Sequence, residues 1–249
     1  MNAGAIVWLG LSFLVLLVLL IVRGRNGPIP KTRSLPAFQD LLTQAGYAAE
    51  SGKAIHIALG GGTLYGEDAI TSLAGLQVLD ALADVAVSYS APPIVTVGDP
   101  VLLPVAQDML RRAYERSGRA EAYSPSRVQF IAPSPTAYAA GAAYMAASDS
   151  VMVNVVAGAF GAEVSLISDA STRRGLPQLA AAVAPDALGA LYPATDRLAV
   201  GEEMFAASAQ INGRRGHLVS LVAHDILRVA LVLTILGMAG MALYGQFVR

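Results

Sequence analysis

Apolar residues in this chain come in short runs separated by Gly, Pro and polar clusters, with helix-spaced stretches between them. The pattern is clearest from Ala54 to Ser88. Ile55, Ile57 and Leu59 form a strand that runs into the glycine loop Gly60-Gly61-Gly62-Thr63, and a long helix opens at Gly66-Glu67-Asp68. The unit then repeats. Ile94–Val97 reads as a second strand, closed by Gly98-Asp99-Pro100, and a helix with Leu102, Val105, Ala106, Met109, Leu110 and Ala113 on one face follows. Val128–Ala132 is a third strand, and Pro133-Ser134-Pro135 leads into an Ala/Tyr-rich helix.

Val151–Ala157 is a fourth strand, apolar enough to be covered on both faces. After Gly158–Gly161 the segment Glu163–Ser168 reads as a fifth strand. Four residues are too few for a crossover, so that strand is expected to be an antiparallel edge. Gln178–Val183 is expected as a short strand, and Pro185–Leu191 and Gly201–Ile211 as helices. A short amphipathic helix, Leu35–Ala49, precedes the first strand. Alternating strands and helices predict a three-layer α/β domain with a mostly parallel sheet, Rossmann-like or flavodoxin-like.

Two uncharged stretches flank this pattern, Ala5–Val22 and Val229–Val248, each long enough to cross a bilayer core. Nothing basic precedes the first, and Arg23 and Arg25 follow it directly, so an uncleaved anchor is expected rather than a signal peptide. The chain therefore divides into a transmembrane anchor at 1–23, a Gly/Pro-broken linker at 24–34 and an α/β domain at 35–213. A juxtamembrane amphipathic segment at 214–228 and a second transmembrane helix at 229–249 complete it. Seven Lys and Arg flank the spans on the domain side, against Arg249 alone beyond them. That bias predicts a two-pass protein of the cell membrane with a cytoplasmic domain and both termini outside.

Between Ser34 and Gly213 nine basic residues face seventeen acidic ones, a net charge of −8. Such a domain repels phosphate backbones, which argues against nucleic acid as a partner, while the juxtamembrane arginines suit membrane lipid. The absence of Cys removes disulfides, thiolate catalysis and sulfur-ligated metals. His56, His217 and His224 are scattered without metal-ligand spacing, so neither a metal nor another cofactor is expected.

Ligands of open parallel sheets bind beyond the carboxyl ends of the strands. Gly61, Gly62, Thr63, Asp99 and Ser134 all fall at such ends, making them the candidate ligand-binding residues. Each also has a structural reading. The loop lacks a phosphate-binding lysine and the spaced dinucleotide fingerprint, and Glu67 and Asp68 would face a bound phosphate. Asp99-Pro100 and Ser134-Pro135 both match a helix start, a capping side chain followed by Pro at the first helical position. Asn154 interrupts an apolar strand and must find partners. No catalytic residue stands out.

The stretches TSLAGLQVLDALADVAVSYSAPPIVTVGDPVLLPVAQDMLRRAYERSGR, GAFGAEVSLISDASTRRG and GEEMFAASAQ resemble an uncharacterised bacterial membrane-anchored family, one catalogued only as a domain of unknown function. The resemblance implies a membrane-tethered cytoplasmic α/β domain and supplies no activity or functional residue. Gly237 and Gly240, with Ala239 and Ala242, give the second span the small residues that let helices approach. A self-associating scaffold is therefore the expected function. A small-ligand (nucleotide or metabolite) domain using the strand-end crevice is the alternative, and a hydrolase or transferase around Asp99 the weaker one.

Overall fold

In the computed structural model of the chain, the described residues are 8, 10–15, 17–18, 38, 40–195, 197–212 and 226–236. The chain divides into two units, Ser34–Asn212 and a unit made of the chain ends Met1–Arg33 and Gly213–Arg249.

The larger unit reads α1 (Leu41–Glu50), β1 (Ala54–Gly60), α2 (Ala69–Ser88), β2 (Pro93–Val97) and α3 (Leu102–Arg116). After two single 3-10 turns come β3 (Val128–Phe130), α4 (Pro135–Ala146), β4 (Val151–Ala159) and α5 (Val164–Arg173). The unit ends with β5 (Gln178–Ala182), α6 (Pro185–Leu191), β6 (Leu198–Val200) and α7 (Glu202–Asn212). The six strands form one sheet in the order β3-β2-β1-β4-β5-β6, and every neighbouring pair is parallel. This is the Rossmann order, with its switch point between β1 and β4, rather than the flavodoxin order.

The expected antiparallel edge strand at Glu163–Ser168 is not there. Those residues begin α5, the crossover helix that carries the chain from β4 to a parallel β5. Val164, Leu166 and Ser168 alternate like a strand. Burial instead selects Val164, Ile167, Ser168 and Ser171 at helical spacing and leaves Leu166 out. Strand β6, three residues long, has too short a pattern to be seen in the sequence.

Side chains alternate across the sheet into two cores. Ile55, Ile57, Leu59, Val95, Val97, Val153 and Val155 point to the side covered by α1, α2, α3 and α7. Ala58, Val156, Ala180 and Ala182 point to the side covered by α4, α5 and α6. Helix α2 lies at the centre of the first side, packed against the sheet, α3 and α7. Its apolar residues therefore run almost all round the helix.

Among the described residues, α2 is also the one helix long and apolar enough to cross a membrane, and 61% of its apolar window is buried inside the domain. It is the core helix of the α/β unit. The two expected spans fall mostly outside the described residues. Residues 10–15 and 17–18 within the first are helical, and the apolar helix Ile226–Leu236 enters the second. Gly237 and Gly240 lie outside the described residues.

Candidate functional site at the strand ends

The carboxyl ends of β1 and β2 meet where the sequence places its candidate residues. Gly60 turns the chain out of β1 at φ +83°, and a β-carbon there would lie 2.2 Å from the Ala159 carbonyl oxygen. The Gly98 N–H donates to the Gly60 carbonyl at 2.9 Å and the Gly61 N–H to Ala159 at 3.3 Å, so the loop is stitched to both neighbouring strands. Gly62 is buried, and a β-carbon on it would sit 2.4 Å from Ala159 Cβ and 2.6 Å from Ser72 Oγ. The glycines thus let the loop close down on the switch point. Thr63 stays local, its hydroxyl donating to the Tyr65 carbonyl at 2.5 Å.

Asp99, 9% exposed, accepts the Val101 N–H on Oδ1 at 2.7 Å, and its own carbonyl receives the Leu102 N–H at 3.1 Å. Its carboxylate therefore starts α3, two residues earlier than a standard cap. Ser134 is exposed at the cap position of α4 with Pro135 behind it, and its side chain makes no capping bond. Tyr138, one turn further on, reaches back from α4 to accept the Gly60 N–H at 3.1 Å. Gly61, Asp99 and Ser134 each follow the carboxyl end of one of three neighbouring strands, while Gly62 packs inward against Ser72 of α2.

Beneath these ends lies a polar chain, of which the sequence shows Asn154 as an interruption of an apolar strand and His56 only as one of three scattered histidines. His56, Asn154 and Gln178 stand side by side on β1, β4 and β5, with Thr96 on β2 completing the set, all on the face covered by α4 and α5. Asn154 Nδ2 donates to Ser171 Oγ at 2.8 Å and to Gln178 Oε1 at 3.2 Å, which turns its Oδ1 toward His56 Nδ1 at 2.7 Å. The imidazole therefore donates from Nδ1, and its Nε2 accepts the Thr96 hydroxyl at 3.0 Å. Tyr138 Oη donates to the Thr96 carbonyl at 3.1 Å, and Gln178 Nε2 donates to Ser168 Oγ.

Every member of this chain is satisfied. His56, Thr96, Asn154 and Ser171 are fully buried, and Gln178 is only 6% exposed. Burial pushes His56 down from 6.5 to about 4, against a smaller upward pull from Asn154. Burial likewise pushes Tyr138 up to about 12, opposed by its hydrogen bonds to Thr96 and Gly60. A neutral, enclosed imidazole of this kind ties β1 to β2 and β4 through its two ring nitrogens. The signal in the sequence was parity: His56, Thr96, Asn154 and Gln178 all take the same face of otherwise apolar strands.

One group in the region is left over. Ser72, in the first turn of α2, is 2% exposed, and its hydroxyl has no hydrogen-bond partner among the described residues. It sits directly under Gly62. Among the described residues there is no group of three His, Asp or Glu placed to hold a metal ion.

A Rossmann-order sheet, closed by glycines at its switch point and pinned by a buried polar row, defines this as a doubly wound α/β domain. The chain belongs to the family described as Domain of unknown function (DUF6754), whose model matches residues 2–248. No curated protein matches it. No solved structure does either.

Proposed function

We propose that this protein is a membrane-anchored scaffold whose α/β domain, placed in the cytoplasm between two spans, self-associates. The observation that carries this reading is an apolar stripe on the open side of α2. Ile70 (67% exposed) and Leu73 (50%) lie one turn apart at its amino end, and Tyr65 is exposed in the turn leading into it. The same stripe turns polar lower down, where Asp80 and Asp84 pair with Arg116 at 2.8 and 2.5 Å. Apolar side chains gathered at one end of an otherwise charged stripe are what a self-complementary contact needs. The small residues Gly237 and Gly240 would bring the second spans of two copies together.

Light scattering of the full chain in detergent tests this. The parent protein is expected as a multimer, loosened by Ile70→Ser with Leu73→Ser and loosened further by Gly237→Leu with Gly240→Leu. A parent protein that runs as a monomer at micromolar concentration overturns the scaffold.

The unpartnered Ser72 hydroxyl favours a second reading, a small-metabolite site at the strand-end rim. With Glu67 and Asp68 at the helix start, that ligand would lack phosphate. Adenosine, which has ribose hydroxyls and no charge, is a suitable probe. Thermal stabilisation of the parent protein by adenosine, lost in Ser72→Ala, supports this reading, and equal behaviour of the two proteins removes it.

A further inference from the structure

At the opposite, amino end of the strands, a cleft of about 210 Å³ opens between the end of α2, the start of β2 and the connection after α3. Val87, Ala91, Pro92 and Tyr114 form its apolar wall, and Arg119 and Arg127 reach it with Ser90. No Asp or Glu lines it. On a domain of net charge −8, two guanidinium groups over apolar residues without a counter-charge make an unusual local field.

The cleft is built firmly. Tyr123 donates its hydroxyl to the Gln107 carbonyl at 3.1 Å and packs its ring 5.8 Å from Tyr114, pinning the connection to α3. Arg119 Nη1 donates to the Val87 carbonyl at 3.0 Å and to Ser90 Oγ at 2.5 Å. Both acceptors are neutral, the first of them at the negative end of helix α2. Arg127 is half-buried and makes no ion pair with any described residue. The lining of the cleft is therefore positive.

Ser90 adds a separate observation. It follows the last residues of α2 at φ +65°, the one non-glycine residue in the left-handed region among those described. Its N–H bonds the Val87 carbonyl at 3.1 Å and the Ala91 N–H bonds Ala86 at 2.8 Å, the two bonds of a Schellman ending, where Gly is the usual residue. Glycine would relieve the strain but would lose the hydroxyl that aims Arg119. A serine in the left-handed region that also holds an arginine lining a cleft is the kind of local strain found at binding sites.

We propose that this cleft binds a small carboxylate with an apolar body. Arginine forks suit carboxylate geometry, Arg127 supplies the unpaired charge, and Val87, Pro92 and Tyr114 take the apolar part. The volume equals about seven waters at ~30 Å³ each, too little for a nucleotide and enough for a short or single-ring acid. The site stands apart from the strand-end rim and does not depend on the scaffold reading.

Benzoate is the probe, with benzamide as its uncharged match and inorganic phosphate as the anion without an apolar body. Calorimetry on the full chain in detergent is expected to give a benzoate Kd of about 1 mM or tighter, with benzamide and phosphate at least about tenfold weaker. Arg127→Gln is expected to weaken benzoate at least about tenfold. Ser90→Gly is expected to weaken it severalfold while its melting temperature stays at or above that of the parent, which separates lost binding from lost folding. Benzoate that fails to bind, binds no better than benzamide or phosphate, or binds Arg127→Gln as tightly as the parent overturns the proposal.

Discussion

His56 is buried, neutral and held between Asn154 and Thr96, and its pKa makes the stability of the domain depend on pH in a defined direction. The imidazole titrates at 6.5 in its ordinary state and at about 4 in the fold. Between those values the unfolded chain takes up a proton that the folded chain refuses. Stability from this group is therefore fully present above pH 6.5, falls as pH drops through the window, and is lost by about pH 4. Between pH 7 and pH 4.5 the loss from this one side chain is on the order of 2 kcal/mol. Domains of ordinary stability hold only about 5–15 kcal/mol in total, so the effect is measurable.

His56→Gln removes the titration while an amide in the same place can still donate to Asn154 or accept from Thr96. Urea unfolding of the full chain in detergent, followed by circular dichroism at pH 7 and at pH 4.5, gives the loss for each protein. Carboxylates contribute to both, so they cancel in the difference. The parent is expected to lose on the order of 2 kcal/mol more than His56→Gln. Equal losses would refute the argument, because they would mean that His56 takes up a proton in the folded state as readily as in the unfolded one. An imidazole resonance assigned to His56 that moves between pH 7 and pH 5.5 in the folded protein would refute it as well.

Three further outcomes are expected. Asp99→Ala should cost about 0.5–2 kcal/mol in the same urea assay through the lost bond to Val101, and Asp99→Ser should recover most of it; equal losses for both would exclude the capping role. Gly62→Ala places a β-carbon 2.4 Å from Ala159 Cβ, and the overpacking should cost about 1–3 kcal/mol, visible as a lower urea midpoint. Finally, with Cys introduced at Asn2 or at Ser117, an impermeant thiol reagent on intact cells should label position 2 only. Labelling at 117 alone would reverse the orientation inferred from the basic residues around the spans.

The sequence by itself carried the layer architecture, because it is written in local terms. Strand β1, helix α2, strand β2 and helix α6 lie within a few residues of where apolar runs, Gly and Pro placed them. Asp99 could be read as a helix start for the same reason: its bond to Val101 spans two residues and needs no distant partner. What the sequence could not decide was which of two periods a short run obeys when both fit. Val164, Leu166 and Ser168 alternate, yet the segment is the helix that joins β4 to a parallel β5, and it sets Ser168 and Ser171 against Gln178 and Asn154 on strands beyond and before it.

Only the tertiary structure set the strand order, and with it the Rossmann switch point. Parallel strands are joined through helices, and nothing in a crossover's own residues states on which side of an earlier strand the next one lands. The polar row follows from the same cause. His56, Thr96, Asn154 and Gln178 are spread over more than a hundred positions, and each alone looks like an interruption. They become one satisfied chain only after β1, β2, β4 and β5 are laid side by side in register. The cleft between Arg119 and Arg127 likewise exists because a helix end, a strand start and a loop converge there, a contact between segments that no local pattern encodes.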